Sequence, residues 1–227
     1  ERLEALAGEL SSAHAVRAEW IAADLSEAAE RDRVAAEIEQ RGLTVEVLVN
    51  SAGFGIYAPF VRSDRDREIQ QVRLLVEAVV DFDARYVPGM VERGRGTVIN
   101  LSSTAGFQAL PGNGTYSASK SFVLYHTEAL CEEVRRHGVT VVAVCPGPVA
   151  TEFQEASEPV FTERIPKALW IDAERTARDA LRAVDAGKRT IVPGGPAVRA
   201  FFSPGRMSPP AVSLAVGRRL MSKELER

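Results

Sequence analysis

The 227-residue sequence contains little of what several classes of protein require. Its two cysteines, Cys131 and Cys145, are too few for a disulfide framework and lack the close spacing of a zinc site. No apolar run approaches the roughly 18 residues of a membrane-spanning helix. The net charge is only −3, so no basic field attracts nucleic acid. We therefore expect a cytoplasmic protein with reduced thiols and no nucleic-acid partner.

A metal site and a multidomain organisation are also disfavoured. The three histidines, at positions 14, 126 and 137, do not have the spacing of metal ligands. Apolar residues make up 45% and charged residues 26%, which is typical of a soluble domain with a sizeable core. The sequence contains no repeat, linker or signal-peptide pattern. We expect one domain over residues 1–193, followed by an extension over residues 194–227.

Short β-branched runs alternate with helical patterns along the domain. Pro88 is expected to bend or break the long helix at 64–93. Strands that alternate with helices over short connections indicate an α/β fold with a three-layer, doubly wound parallel sheet of the Rossmann-like type. The predicted strands are 16–24, 45–49, 97–101, 139–145 and 190–192, and the predicted helices are 3–10, 26–40, 64–93, 115–137 and 173–186.

The extension 194–227 differs from the rest of the chain in composition. It contains six basic and two acidic residues, so its charge is +4 while the remainder carries −7. Apolar residues such as Phe201 and Leu214 lie between these charges. The simpler interpretation is a C-terminal helix that docks on the body or on a neighbouring subunit. The alternative is a basic amphipathic patch that contacts an anionic membrane surface or covers a lipid-like substrate.

The segment from Ser103 to Lys120 carries the most chemical information. Tyr116 and Lys120 are four residues apart in a predicted helix, so both side chains lie on one face. Ser103 follows the strand 97–101, at the edge where open α/β sheets bind their ligands. An ammonium group beside a phenol is expected to lower the phenol pKa from about 10 towards neutrality. The alternative is a surface pair on an amphipathic helix.

These three groups suit the reduction of a carbonyl or the oxidation of an alcohol. Tyr116 would exchange a proton with the substrate oxygen, while Ser103 would donate a hydrogen bond to that oxygen and stabilise its developing charge. No side chain can supply a hydride, so a redox cofactor is implied.

Ser103, Tyr116 and Lys120 match the Ser and Tyr-x3-Lys catalytic set of the short-chain dehydrogenase/reductase (SDR) family, which the chain resembles from about residue 13 to residue 192. Three further segments resemble the family's adenine-side Asp-Leu pair, Asn-Asn-Ala-Gly turn and Pro-Gly segment. The resemblance implies that the cofactor is bound by Asp24, Leu25, Asn50, Ala52, Gly53, Tyr116, Lys120, Pro146, Gly147, Val149 and Thr151. Caps of the helices that follow are the alternative roles of Asp24 and Thr151.

The resemblance implies an NAD(P)-dependent oxidoreductase that interconverts a ketone and a secondary alcohol, with NADP favoured over NAD. Bulky apolar residues in the loop 153–170 favour a hydrophobic carbonyl or alcohol substrate. These residues are Phe161, Ile165, Leu169 and Trp170. The helices 64–93 and 115–137 are apolar on more than one side, which requires a further partner. We therefore expect a homodimer or homotetramer, in agreement with the family.

Two features depart from the family pattern. No Gly-rich turn precedes the strand at 16–24, and the resemblance implies about 35 to 40 upstream residues that would supply this turn and the first strand. In addition, Leu75 stands where the family usually carries an Asn that holds a water near the active-site lysine. Slower turnover or a rearranged proton path is expected. The alternative is a catalytically weak or inactive relative that binds nucleotide or other proteins.

Overall fold

The computed structural model describes residues 1–151, 153 and 165–220. The chain divides into two compact units, Glu1–Thr44 and Val45–Arg227. The first unit contains helices α1 (Arg2–His14) and α2 (Ala28–Gln40).

The prediction of a strand at residues 16–24 is wrong. Residues 15–24 have no regular secondary structure. A β-strand needs a neighbour that exchanges backbone hydrogen bonds with it, and this stretch pairs with no strand in the described part of the chain. Helix α2 begins two residues later than predicted, because Asp24 Oδ1 accepts hydrogen bonds from the backbone N–H and the hydroxyl of Ser26, at 2.9 and 2.6 Å.

The second unit contains a four-stranded parallel sheet in the order β1-β2-β3-β4. Asn50 pairs with Asn100, and Asn100 pairs with Ala143, so the carboxyl ends of β1, β2 and β3 lie at one edge. The parallel α/β arrangement predicted from the alternation of elements is confirmed. The strands are β1 (Val47–Asn50), β2 (Gly96–Leu101), β3 (Val139–Val144) and β4 (Thr190–Ile191).

The helices of the second unit follow the prediction, with one correction. Pro88 lies inside α4 and does not break it, whereas a π-helical turn at Arg73–Glu77 separates α3 from α4. Such a turn shifts the hydrogen bonds of the helix by one residue, which the hydrophobic pattern does not reveal. The helices are α3 (Arg65–Val72), α4 (Ala78–Arg93), α5 (Gly114–Val134), α6 (Ala173–Asp185), α7 (Pro196–Phe202) and α8 (Pro210–Leu220).

Helices cover both faces of this sheet. Val139 and Val141 of β3 pack with residues of α4 and α5, while the alternate residues Val142 and Val144 pack with Ala180 and Ala183 of α6. This alternation is expected for a strand buried on both faces. Both cysteines are buried and free. The three layers hold the carboxyl edge of the sheet in a fixed position.

The C-terminal extension packs on the rest of the second unit. Val198 of α7 is buried in the same cluster as Cys145, and the Phe202 ring packs beside it. A Cβ added to Gly147 would lie 2.8 Å from the Phe202 ring. Among the described residues, no helix is both long enough and apolar enough to cross a membrane.

Candidate active site

Close backbone packing brings the end of β2 against α5. A 3-10 turn at Thr104–Phe107 follows Ser103, and a Cβ added to Gly106 would lie 2.7 Å from the backbone carbonyl carbon of Lys120. The Ser102 hydroxyl donates a hydrogen bond to the Lys120 carbonyl oxygen over 2.7 Å. Only glycine permits this approach, which places Ser103 beside the first turns of α5.

Ser103, Tyr116 and Lys120 lie around one cavity. Lys120 Nζ lies 5.8 Å from the centroid of the Tyr116 ring. Lys120 Nζ also donates a 2.6 Å hydrogen bond to the carbonyl oxygen of Leu101. Tyr116 and Lys120 are only 7% and 6% exposed. The catalytic set predicted from spacing is therefore assembled in space.

The electrostatics of the site differ from expectation. Burial raises the pKa of Tyr116 above its ordinary value, and the nearby Ser103 hydroxyl opposes this effect. Burial also lowers the pKa of Lys120 to about 8. The expectation that the lysine lowers the phenol pKa is wrong, because the buried environment disfavours the charge on each group. Tyr116 is a neutral acid near pH 7.

The cavity has a volume of about 830 Å³, and five of the predicted cofactor-binding residues outside the catalytic set line it. They are Gly53, Pro146, Gly147, Val149 and Thr151. Ala52 is exposed beside it. Asp24 and Leu25 belong to the first unit, where Leu25 O accepts a 2.9 Å hydrogen bond from Arg31. A second cavity of about 910 Å³ near Gly138 contains none of the predicted site residues.

Asn50 supports the sheet rather than lining the cavity. Its Nδ2 donates to Asp83 Oδ1 and Asn100 Oδ1, at 2.9 and 2.8 Å. Asp83 is 3% exposed and also contacts Asn100 Nδ2 and His126 Nε2, at 2.9 and 3.0 Å. Sequence reasoning missed Asp83, whose signal was a carboxylate within an apolar helix. The network ties β1 and β2 to α4 and α5.

Leu75 lies in the π-helical turn, which contacts α5. It is 1% exposed. A Cβ added to Gly53 would lie 2.7 Å from Leu75 Cδ2 and 4.0 Å from Lys120 Nζ. The helix therefore keeps its irregular turn with leucine at this position, and the Leu75 methyl group and the Lys120 amine both approach Gly53.

The loops around the cavity contribute residues that the sequence did not single out. Tyr57, in the loop after β1, lines the cavity together with Asn113, the N-cap residue of α5. Tyr57 follows the Asn50–Gly53 turn at the carboxyl end of a strand, and this position was the available signal. Phe153 contacts the Tyr116 ring at a centroid distance of 5.9 Å.

Two segments with predicted substrate contacts also reach the cavity. Ile165 lines the cavity. Phe161, which the sequence also predicted to contact the substrate, lies outside the described residues. Phe201 and Phe202 of the extension line it as well. The extension therefore packs on the body, as the simpler interpretation predicted, and at the same time borders the candidate substrate site.

The comparisons with known proteins agree with this geometry. A family model for short chain dehydrogenases matches residues 1–160. The chain belongs to the short-chain dehydrogenase family.

This SDR chain resembles proteins whose function or structure is known. It is 35% identical over 172 residues to the very-long-chain 3-oxoacyl-CoA reductase of Anas platyrhynchos, covering 74% of this chain and 54% of that protein. The chain spans about half the length of the curated relatives that it matches.

Two solved structures share the fold. A short-chain dehydrogenase from Sphingobium yanoikuyae in complex with NADPH has a TM-score of 0.77 and 26% identity, covering 91% of this chain and 80% of that one. A short-chain dehydrogenase from Streptomyces avermitilis has a TM-score of 0.76 and 27% identity, covering 98% and 84%. The predicted fold class is confirmed.

Proposed function

We propose that the protein is an NAD(P)-dependent oxidoreductase that interconverts a ketone and a secondary alcohol. The observation that carries the proposal is the convergence of Ser103, Tyr116 and Lys120 on one cavity. A hydroxyl, a phenol and an ammonium group at the carboxyl edge of a parallel sheet can bind a carbonyl oxygen and deliver a proton to it. Family membership supports the same reaction class.

The residues that line the cavity fit a nicotinamide cofactor. An ammonium group has three donors, and Lys120 Nζ makes one hydrogen bond among the residues that the structure describes, to Leu101 O. Its other donors suit the hydroxyls of a ribose. The backbone of Pro146, Gly147 and Val149 would contact the nicotinamide. When bound, the cofactor supplies the hydride. The NADPH complex of the Sphingobium relative favours NADP over NAD.

The protonation states suit reduction near neutral pH. Because its pKa is raised, Tyr116 holds its proton and donates it to the substrate oxygen as that oxygen gains charge. The Ser103 hydroxyl hydrogen-bonds the same oxygen and fixes its position. The protonated Lys120 then stabilises the phenolate that remains. Oxidation of an alcohol needs this phenolate at the outset, so the oxidative reaction requires a higher pH.

The wall of the cavity favours an apolar substrate. Its side chains come from loops, from α6 and from the extension, and include Leu110, Phe153, Ile165, Leu181, Phe201 and Phe202. Apolar walls with few polar groups are typical of sites that bind hydrophobic small molecules. The names of the curated relatives make a 3-oxoacyl thioester with an alkyl chain the first compound to examine.

The test is the oxidation of NADPH or NADH in the presence of such a ketone, followed by absorbance. The protein should carry any residues that its gene encodes before Glu1. We expect ketone-dependent oxidation that falls about 100-fold or more in Tyr116→Phe. Tyr125→Phe is the matched control, because Tyr125 is exposed on the same helix. Equal activity in Tyr116→Phe would contradict the proposal.

Leu75 favours a second candidate, a family member that binds nucleotide without efficient turnover. Leucine at this position provides no amide to hold a water for proton supply. Saturable NADPH binding without turnover across a panel of ketones would support this candidate over the first.

A further inference from the structure

The 3-10 turn Ser203–Met207 of the C-terminal extension lies between the two cavities of the second unit. Pro204 and Gly205 line the candidate active site, whereas the next residue, Arg206, lines the second cavity near Gly138. Neither the turn nor the second cavity takes part in the proton transfer. A contact that Arg206 makes in the second cavity can therefore set the position of the active-site wall.

Arg206 makes this contact with Glu128 of α5. Arg206 Nη2 donates a 2.5 Å hydrogen bond to Glu128 Oε2, and the two side chains are 36% and 21% exposed. The other carboxylate oxygen, Glu128 Oε1, accepts a hydrogen bond from the hydroxyl of Thr190 in β4. Because the sheet also holds the carboxylate, Arg206 binds a partner that is already fixed in place. The ion pair thus joins the extension to α5 and β4 from outside the active site.

On its other side, the extension packs against both segments that flank the site. Phe202 contacts Gly147 in the segment after β3, as described above. A Cβ added to Gly205 would lie 3.5 Å from Gln108 Oε1 and 3.7 Å from Phe107 Cβ, at the end of the turn that follows Ser103. A shift of the extension away from Glu128 would therefore open the cavity on this side.

A separate contact fixes the beginning of the extension. Val198 is 3% exposed in its apolar cluster, and Arg199 Nε donates a 3.1 Å hydrogen bond to Val192 O. These contacts lie before the residues that form the wall, whereas Arg206 lies among them. Loss of the ion pair should therefore loosen the wall without releasing the whole extension.

We propose that Arg206 and Glu128 are positioning residues, which hold residues 201–208 as the wall of the substrate cavity and thereby favour ketones with long alkyl chains. This inference rests on the proposed function and adds the residues that set its preference for alkyl-chain length. A long alkyl chain extends from Tyr116 to the wall and gains contact with its aromatic rings only when the wall is in place. A short ketone is held at Tyr116 and Ser103 and does not reach the wall.

The test compares butan-2-one and decan-2-one as substrates of the wild type and of Arg206→Met, which removes the charge and keeps an unbranched apolar side chain. We expect kcat/KM for decan-2-one to fall about threefold to fivefold, chiefly through KM, because a partly exposed ion pair is lost. The value for butan-2-one should not change. Equal losses on both ketones, or no loss on either, would overturn the proposal.

Conservative replacement and salt separate the charge from the bulk of the side chain. Arg206→Lys should keep most of the preference for decan-2-one, and Arg218→Met, at an exposed position in α8, should change neither value. Raising the ionic strength from about 0.05 M to about 0.5 M should reduce the difference between the wild type and Arg206→Met, because salt screens the ion pair. A difference that persists at high salt, or an equal loss in Arg206→Lys, would mean that the ion pair does not hold the wall.

Failure of the proposed function has a different signature. If the wild type reduces neither ketone, hydrogen exchange still decides whether the ion pair holds the wall. Faster exchange of the backbone amides of residues 201–208 in Arg206→Met, and not in Arg218→Met, supports this role. Equal exchange in the wild type and Arg206→Met refutes it.

Discussion

Lys120 places an ammonium group where little water reaches it. The side chain is 6% exposed, and its pKa falls from 10.5 to about 8. Between these two pH values the unfolded chain binds more protons than the folded chain, so the stability of the fold rises with pH across this window. At pH 7 the buried charge is present in full and costs about 3 kcal/mol. The buried charge therefore lowers the stability of the fold at this pH.

Replacing this lysine should therefore stabilise the protein. We expect Lys120→Met to raise the free energy of unfolding at pH 7 by about 2 kcal/mol, after loss of the hydrogen bond to Leu101 O is subtracted. The gain should disappear by about pH 10, where the lysine is neutral in the folded protein. Urea unfolding at pH 7 and at about pH 10 measures the gain in the free energy of unfolding and its disappearance.

The control for this measurement is Lys188→Met, at an exposed position after α6. It should give no gain at pH 7 and no dependence on pH. A gain for Lys120→Met that is the same at both pH values would mean that the burial of charge is not its cause.

Leu75 offers a test of proton supply at the same amine. We expect Leu75→Asn to raise kcat for ketone reduction several-fold, because an amide in the π-helical turn can hold a water beside Lys120. The same change should lower the free energy of unfolding by about 2 kcal/mol, since a polar group replaces a leucine that is 1% exposed. Steady-state rates at saturating substrate give the first quantity.

Leu75→Ala distinguishes the effect of the amide group from the effect of a smaller side chain at this position. It opens the same position without a hydrogen-bonding group, so kcat should not rise. If both variants increase kcat equally, the bulk of leucine limits turnover. If neither does, proton supply through this position is not limiting.

At the scale of elements, the packing of α5 against the turn after β2 sets the distance between Ser103 and Tyr116. Gly106→Ala would bring a Cβ within 2.8 Å of three backbone atoms of α5, which cannot move without shifting the helix. We expect a loss of about 2 to 4 kcal/mol in the free energy of unfolding and a fall in kcat/KM. Thermal unfolding and steady-state kinetics measure these effects.

Gly114→Ala is the matched control on the same helix. Gly114 is the first residue of α5, and a Cβ there would meet no atom within 4 Å. Alanine is the better helix former, so this variant should be stabilised by up to about 1 kcal/mol. Equal effects of the two substitutions would show that the contact of Gly106 with α5 does not matter.

Strands and helices can be predicted from the sequence where a single local pattern of residues defines them. The run 139–145 is rich in β-branched residues because β3 is buried on both faces, and this pattern needs no knowledge of its neighbours. The stretch 16–24 has a strand-like alternation, but a strand also needs a partner, and none is present among the described residues. The π-helical turn at 73–77 was not predictable, because it changes hydrogen bonds rather than the order of apolar residues.

The candidate site likewise contains residues that a local pattern predicts and features that depend on residues far apart in sequence. Ser103, Tyr116 and Lys120 follow from helical spacing and from their position at the sheet edge. Tyr57 and Asn113 both line the cavity although they are far apart in sequence, so no local pattern brings them together. The pKa of Tyr116 depends on burial by the whole surrounding cavity, and the pair of Tyr116 with Lys120 suggested the opposite direction.

At the scale of the molecule, α3, α4 and α5 expose apolar side chains that a single chain leaves uncovered. Leu75 and Val123 are buried, as expected for the inner faces of these helices. The outer faces remain in contact with water. Their exposed residues are Ile69, Val72, Val80, Phe122 and Tyr125. Apolar side chains concentrated on adjacent helices mark a protein interface more often than a bare surface.

We therefore expect the protein to form a dimer or tetramer through these helices. A carboxylate introduced there would lose its hydration without gaining a partner, which costs several kcal/mol per interface. The double variant Phe122→Asp, Tyr125→Asp should sediment as a monomer, with its helical circular dichroism intact because both side chains are exposed, by 41% and 59%. Val61→Asp, at a position 91% exposed outside this surface, should leave the assembly unchanged. A wild type that sediments as a monomer, or a double variant that stays assembled, would place the subunit contact elsewhere.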